Sequence, residues 1–93
     1  MNKKEIKDIL KKSLGMPIGD VSDEWKSPSV VCGESNGVLF VQTRADSKQE
    51  AKDLRDKVKA ALSDKYDIGQ GIIEFNSVEV RFFQSLTIFS VTK

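Results

Sequence analysis

The sequence predicts an α+β domain with the element order α-β-β-α-β-β, its sheet mostly antiparallel or else mixed, with the helices packed on it. Three observations predict it. Apolar residues recur at helical spacing across residues 2–14 and 46–66. Alternating, β-branched stretches fill residues 29–44 and 72–92. Short runs of turn formers join neighbouring strands, which favours antiparallel pairing. The 93 residues suit a single domain, and no repeat or shift in composition marks a second.

The first helix, residues 2–14, carries its apolar stripe on Ile6, Ile9, Leu10 and Leu14. Asn2 stands where an N-cap belongs, with Glu5 three residues on, and Gly15 followed by Pro17 ends the helix. Its other face holds Lys3, Lys4, Lys7, Lys11 and Lys12 against Glu5 and Asp8. That face is either simply solvated or a patch for phosphate or an acidic partner.

Residues 15–28 read as a connector, being rich in Gly, Pro, Ser and Asp. Trp25 lies within it. A tryptophan in a polar loop either anchors the loop on the core or is offered to a partner.

Residues 29–33 and 38–44 read as a hairpin turning at Asn36-Gly37, a pair that tolerates positive φ. In its second strand Val38, Phe40 and Gln42 share one face, and Leu39, Val41 and Thr43 share the other. Both faces are apolar near the start, so the strand is expected to be covered on both sides, by a helix on one and by a helix or subunit on the other. Cys32 reads as a small core residue.

The second helix, residues 46–66, opens on a capping box formed by Ser47 and Glu50. Ala51, Leu54, Val58, Ala61 and Leu62 form its stripe, with Tyr66 at the end. Its outer face mixes both signs of charge, with Asp53 and Lys57 spaced as an ion pair. Residues 67–71 read as a loop. Beyond it, residues 72–75 make a short lead-in strand, and residues 78–83 are expected to pair with residues 86–92. Phase shifts at Asn76-Ser77 and Phe83-Gln84-Ser85 mark turns or bulges.

Composition excludes several kinds of chemistry. The chain has 15 Lys+Arg, 14 Asp+Glu, no His and one Cys, for a net charge of +1. A Ser–His or Cys–His pair cannot form within one chain, and neither can the usual His/Cys metal cluster or an internal disulfide. Gly69-Gln70-Gly71 lacks the third glycine and the following helix of a phosphate cradle. The carboxylates fall on helix faces and turns, and alternation puts Glu74 and Glu79 on polar strand faces. No catalytic residue, cofactor site or metal site is therefore expected, and the chain does not read as an enzyme. Near-zero net charge argues against a dedicated nucleic-acid binder. The longest apolar run is four residues, Val38 to Val41, so no membrane helix is expected, and the first five residues do not open a signal peptide.

What remains is surface. A domain this short has a thin stability margin, for which oligomerisation is a common remedy. Phe82, Phe83 and Phe89 do not all fit one sheet face. They are either covered by another subunit or repacked within the monomer. Arg44, at a strand end near Asp46 and Glu50, either pairs with them or reaches a neighbouring subunit.

The stretch Val41-Gln42-Thr43-Arg44-Ala45-Asp46-Ser47-Lys48-Gln49-Glu50-Ala51, continuing to Leu54 and closing on Ala60-Ala61-Leu62, resembles a signature of tailed-phage tail-terminator and minor-capsid (head–tail connector) proteins. In that family a strand of roughly the form V-Q-x-R-x-R/T-R-A leads through a short turn into an E-A-x-x-L helix ending in A-x-L; this chain has Val41, Gln42 and Arg44 of the strand and departs from its later positions. The match covers about a quarter of the chain, and the remainder agrees in element order only.

The resemblance implies a structural virion protein that forms a ring, commonly a hexamer, on the head-proximal end of the tail tube. Such a ring stops tube polymerisation and joins tail to head by surface complementarity. The implied partners are further copies of the chain, the tail-tube protein and head-completion proteins, with no cofactor and no membrane. The implied location is the host cytoplasm during assembly, then the tail or neck of the virion. A ring requires heterologous contacts that close. The second expectation is a small phage or bacterial regulator that docks on a partner protein. The third is a weak nucleic-acid binder using the lysine-rich first helix.

Overall fold

The computed structural model describes residues 2–69, 72–73 and 85–92, with residues 72–73 described by their backbone. The elements are α1 (Lys3–Leu14), β1 (Ile18–Asp20), β2 (Ser29–Ser35), β3 (Val38–Ala45), α2 (Lys48–Leu62), β4 (Asp67–Ile68), β5 (Ile72–Ile73) and β6 (Ser85–Thr92).

Both helices begin and end on local signals. Asn2 is the N-cap of α1, its Oδ1 accepting the Glu5 N–H at 2.9 Å. Gly15 closes that helix with φ +65°, a left-handed cap that a side chain would strain. Ser47 caps α2, its Oγ accepting the Glu50 N–H at 3.2 Å. The second helix stops at Leu62, short of the expected residue 66. Residues 63–66 form a turn instead, and the N–H groups of Lys65 and Tyr66 both donate to the Leu62 carbonyl. Asp53 does not pair with Lys57 as its spacing suggested; it accepts a hydrogen bond from Gln49 at 2.9 Å.

The sheet is mixed and mostly antiparallel. Its strands run β1-β2-β3-β6, and β4 and β5 lie along the remaining edge of β6. The β2–β3 hairpin turns at Asn36 (φ +52°) and Gly37 (φ +79°), so Ser35 faces Val38. These positive angles are what the Asn-Gly pair tolerates.

Two departures from expectation lie in the sheet. Inside the presumed connector, Ile18–Asp20 forms β1 and pairs in parallel with Val30, Val31 and Cys32. Three residues set among Pro17, Gly19 and Asp20 carry no visible alternation, but Ile18 is buried. At the C-terminal end, β6 is paired on one edge with β3 and on the other with β4 and β5. Asp67 and Ile68, expected in a loop, are thus in a strand. Ile72 and Ile73 take up edge positions on β6 that had been assigned to residues 78–83, which lie outside the described residues.

The core lies on one face of the sheet. Val30 and Cys32 of β2, Leu39 and Val41 of β3, and Phe89 and Val91 of β6 point the same way by register. Ile6 and Leu10 of α1, Val58 and Leu62 of α2, Ile18 and Tyr66 complete the cluster. Both helices therefore cover this one face. One side of β3 is covered by helix as expected; on the other the chain lays a loop rather than a second helix among the described residues.

The polar groups buried beneath α2 are matched. Thr43 Oγ1 donates to the Ala51 carbonyl at 2.8 Å and shares a hydrogen bond with the Thr87 hydroxyl across β3 and β6. Tyr66 Oη donates to Glu5 Oε2 at 3.3 Å and so ties the end of α2 to the start of α1. Burial and the Glu5 carboxylate both raise the Tyr66 pKa.

Candidate interaction surface

Alternation along β3 sends Phe40, Gln42 and Arg44 to the face opposite the helices. Cross-strand neighbours add Val31 and Gly33 from β2, and Leu86, Ile88 and Ser90 from β6. Val31, Gly33 and Arg44 are buried there, while Phe40, Gln42, Leu86, Ile88 and Ser90 are half-buried. Gly33 has a specific role. A Cβ at that position would collide with the Phe40 ring and with Val21, so the missing side chain lets both close over the sheet.

Residues 21–28, which lead from β1 to β2, form a strap over this face, and Arg44 holds the strap. Its Nη2 donates to the Val21 carbonyl at 2.9 Å and its Nη1 to the Asp23 carbonyl at 3.3 Å. Its Nε donates to Gln42 Oε1 at 3.2 Å, which fixes the plane of the guanidinium. The guanidinium carbon also stands 5.2 Å from the centre of the Trp25 ring, a cation–π distance. Arg44 is only 6% exposed. Burial lowers its pKa, and the nearby charge of Asp23 acts in the opposite direction.

Satisfaction is incomplete under the strap. Trp25 Nε1 and Ser27 Oγ are buried with no hydrogen-bond partner among the described residues. Leaving such a group unmade costs roughly 1–3 kcal/mol. On the strap's other flank is a cavity of about 230 Å³, bounded by residues 16–19, by the start of β2, and by Asp23, Glu24, Lys26 and Pro28.

The structure separates the residues singled out in the sequence. Trp25 and Arg44 come together, with Trp25 anchored rather than offered. Arg44 does not pair with Asp46 or Glu50, because alternation turns it away from α2 and onto the strap's carbonyls. Phe89 is no surface residue. It is 2% exposed on the helix-covered face, with Lys59 Nζ 5.7 Å from its ring centre. Phe82 and Phe83 lie outside the described residues. The backbone acceptors of Val21 and Asp23 were not foreseen, since a carbonyl partner leaves no mark on residue identity.

Two of the five lysines of α1 are committed within the chain. Lys3 and Lys7 each reach Asp20 Oδ1, at 2.9 and 3.0 Å. Hydrogen bonds from these two ammonium groups, Lys3 first, pull the Asp20 carboxyl below its ordinary pKa. Cys32 is buried, and burial pushes its thiol up to about 11, so at neutral pH it is a protonated core group. Among the described residues no cluster of three or more His, Cys, Asp or Glu is placed to hold a metal ion. Among them, too, no helix is long and apolar enough to cross a membrane.

No protein-family model matches the chain, and neither a curated protein nor a solved structure does.

Proposed function

We propose that the protein is a structural assembly subunit of the tail-terminator or head–tail connector kind, acting as a homo-oligomeric ring that caps a tail tube and joins it to the head. The observation that carries this reading is the strand-to-helix segment, residues 41–62. It comprises most of β3, the Ser47 cap and α2, in the order the family signature requires. Its mechanism is surface complementarity between copies and with the tube, without covalent chemistry. Supporting it are the half-buried apolar side chains Phe40, Leu86 and Ile88 on the face opposite the helices and the exposed Val38 (45%) at the start of β3. These are apolar surfaces of the type that subunit contacts cover.

Sedimentation and light scattering across protein concentration and salt test the reading, alone and with a tail-tube protein of a tailed phage. The expected result is a closed species several times the monomer mass, formed by the chain itself or on meeting the tube protein. A strict monomer under every condition, with no ring in the presence of the tube protein, overturns it. Capture of a host protein with no virion protein would favour a docking regulator instead.

A further inference from the structure

The strap at residues 21–28 is held in an unusual way. Apart from those of Arg44, its bonds run to β1 and β2: the Val21 N–H donates to the Cys32 carbonyl, the Asp23 N–H to the Asp20 carbonyl, the Asp20 N–H to Asp23 Oδ2, and Ser29 Oγ to the Lys26 carbonyl. Across its span, Arg44 is the side chain that ties it to β3 among the described residues, through two carbonyls and the Trp25 ring.

We infer that this strap is a two-state element. It is latched shut by Arg44 and lifts from the sheet while the helix-covered core stays folded, and lifting turns Trp25 into an exposed aromatic anchor. Three independent observations support this. First, among the described residues a single side chain, Arg44, ties the strap to β3. Second, the closed state leaves Trp25 Nε1 and Ser27 Oγ buried and without a partner among the described residues, and opening returns both to water, which lowers the net free energy of lifting. Third, the cavity of about 230 Å³ borders the strap on Asp23, Glu24, Lys26 and Pro28, so these residues have space beside them. The opposite face of β3 has no such combination, since its buried hydroxyls at Thr43 and Thr87 are bonded. An exposed tryptophan is among the side chains most enriched at binding hot spots. This inference concerns one chain and stands apart from the ring assembly proposed above.

Trp25 is the only tryptophan, so its fluorescence reports the strap alone. Acrylamide quenching is measured on the wild type, Arg44→Lys and Ser27→Ala, with far-UV circular dichroism as the check on the fold. Lysine keeps the charge but lacks the fork that spans two carbonyls and stacks on the ring. The expected result is a several-fold rise in quenching and a red-shifted emission for Arg44→Lys with unchanged circular dichroism. Ser27→Ala removes one orphaned hydroxyl from the closed state and is expected to lower quenching below wild type. Wild-type quenching in both folded variants overturns the proposal. If Arg44→Lys does not fold, Ser27→Ala decides alone: reduced quenching supports the two-state strap, and unchanged or increased quenching contradicts it.

Discussion

The two faces of β3 are built by different means from one alternating strand. Leu39, Val41, Thr43 and Ala45 face the helices and are each at most 3% exposed. There, apolar packing is dense and the Thr43 and Thr87 hydroxyls are bonded to each other and to the Ala51 carbonyl. Phe40, Gln42 and Arg44 face the strap, where, among the described residues, cover depends on one guanidinium and two nearby donors have no partner. The difference teaches that burial alone does not measure how firmly a face is held. Arg44 and Val41 are both buried, yet only Val41 sits in a cluster drawn from two helices and four strands.

Substitutions on the helix side should have the largest effects. Leu10→Ala removes a fully buried side chain from the shared core and is expected to destabilise the fold by about 2–5 kcal/mol, read from urea unfolding. Thr43→Val leaves the Ala51 carbonyl and the Thr87 hydroxyl short of a partner, for an expected loss of about 1–3 kcal/mol. A neutral result for Thr43→Val would erase the contrast with Ser27, whose removal relieves an unpaired group.

Cys32 and Trp25 sharpen the comparison kinetically, since each is the only residue of its kind and they report opposite faces. Burial of Cys32, with its thiol pKa at about 11 against an ordinary 9.0, leaves roughly a hundredfold less thiolate at mild pH. Labelling with a thiol reagent near pH 8 is expected to proceed only as fast as the core opens, while quencher reaches Trp25 through strap opening alone, with the core still folded. Labelling of Cys32 in step with strap opening would show that both faces open together.

The smallest effect should come from the surface link between α1 and β1. Asp20 has its carboxyl pKa lowered in the fold by Lys3 and Lys7. Its contribution to stability is therefore present above the ordinary carboxyl value of 3.8. It is lost as pH falls through the lower folded value. Asp20→Asn should remove this part of the acid dependence and little else, because Lys3 and the Asp20 carboxylate are well exposed to solvent and Lys7 partly so. Titration of unfolding free energy between neutral pH and strong acid checks it.

The parts legible in the sequence were those decided locally. Asn2, Gly15, Ser47 and Asn36-Gly37 each act on the backbone within a few residues, and each does so where expected. The stripes of Ile6 and Leu10 and of Val58 and Leu62 were visible for the same reason. What was not legible depends on distant partners. Ile18–Asp20 becomes a strand because β2 offers it a parallel edge, and nothing in Pro17-Ile18-Gly19-Asp20 signals that. Arg44 was read against its sequence neighbours Asp46 and Glu50, but a strand residue answers to the face it projects from. Its carbonyl partners, 21 and 23 residues earlier, have no side-chain signature. Phe82, Phe83 and Phe89 do not all fit one face by alternation, which marks Phe89 as a surface candidate, whereas the pairing with β3 puts it opposite Val41 in the core.

Residue-resolved amide hydrogen exchange tests the central contrast most directly. The amides that pair β3 with β6 should exchange only through global unfolding, with matching dependence on urea. The Val21 N–H, bonded to the Cys32 carbonyl at 2.9 Å, should exchange by a smaller opening, at a markedly lower free energy and with little urea dependence. A Val21 amide as protected and as urea-sensitive as those of β3 would contradict the account, because the strap and the helix-covered core would then open as one unit.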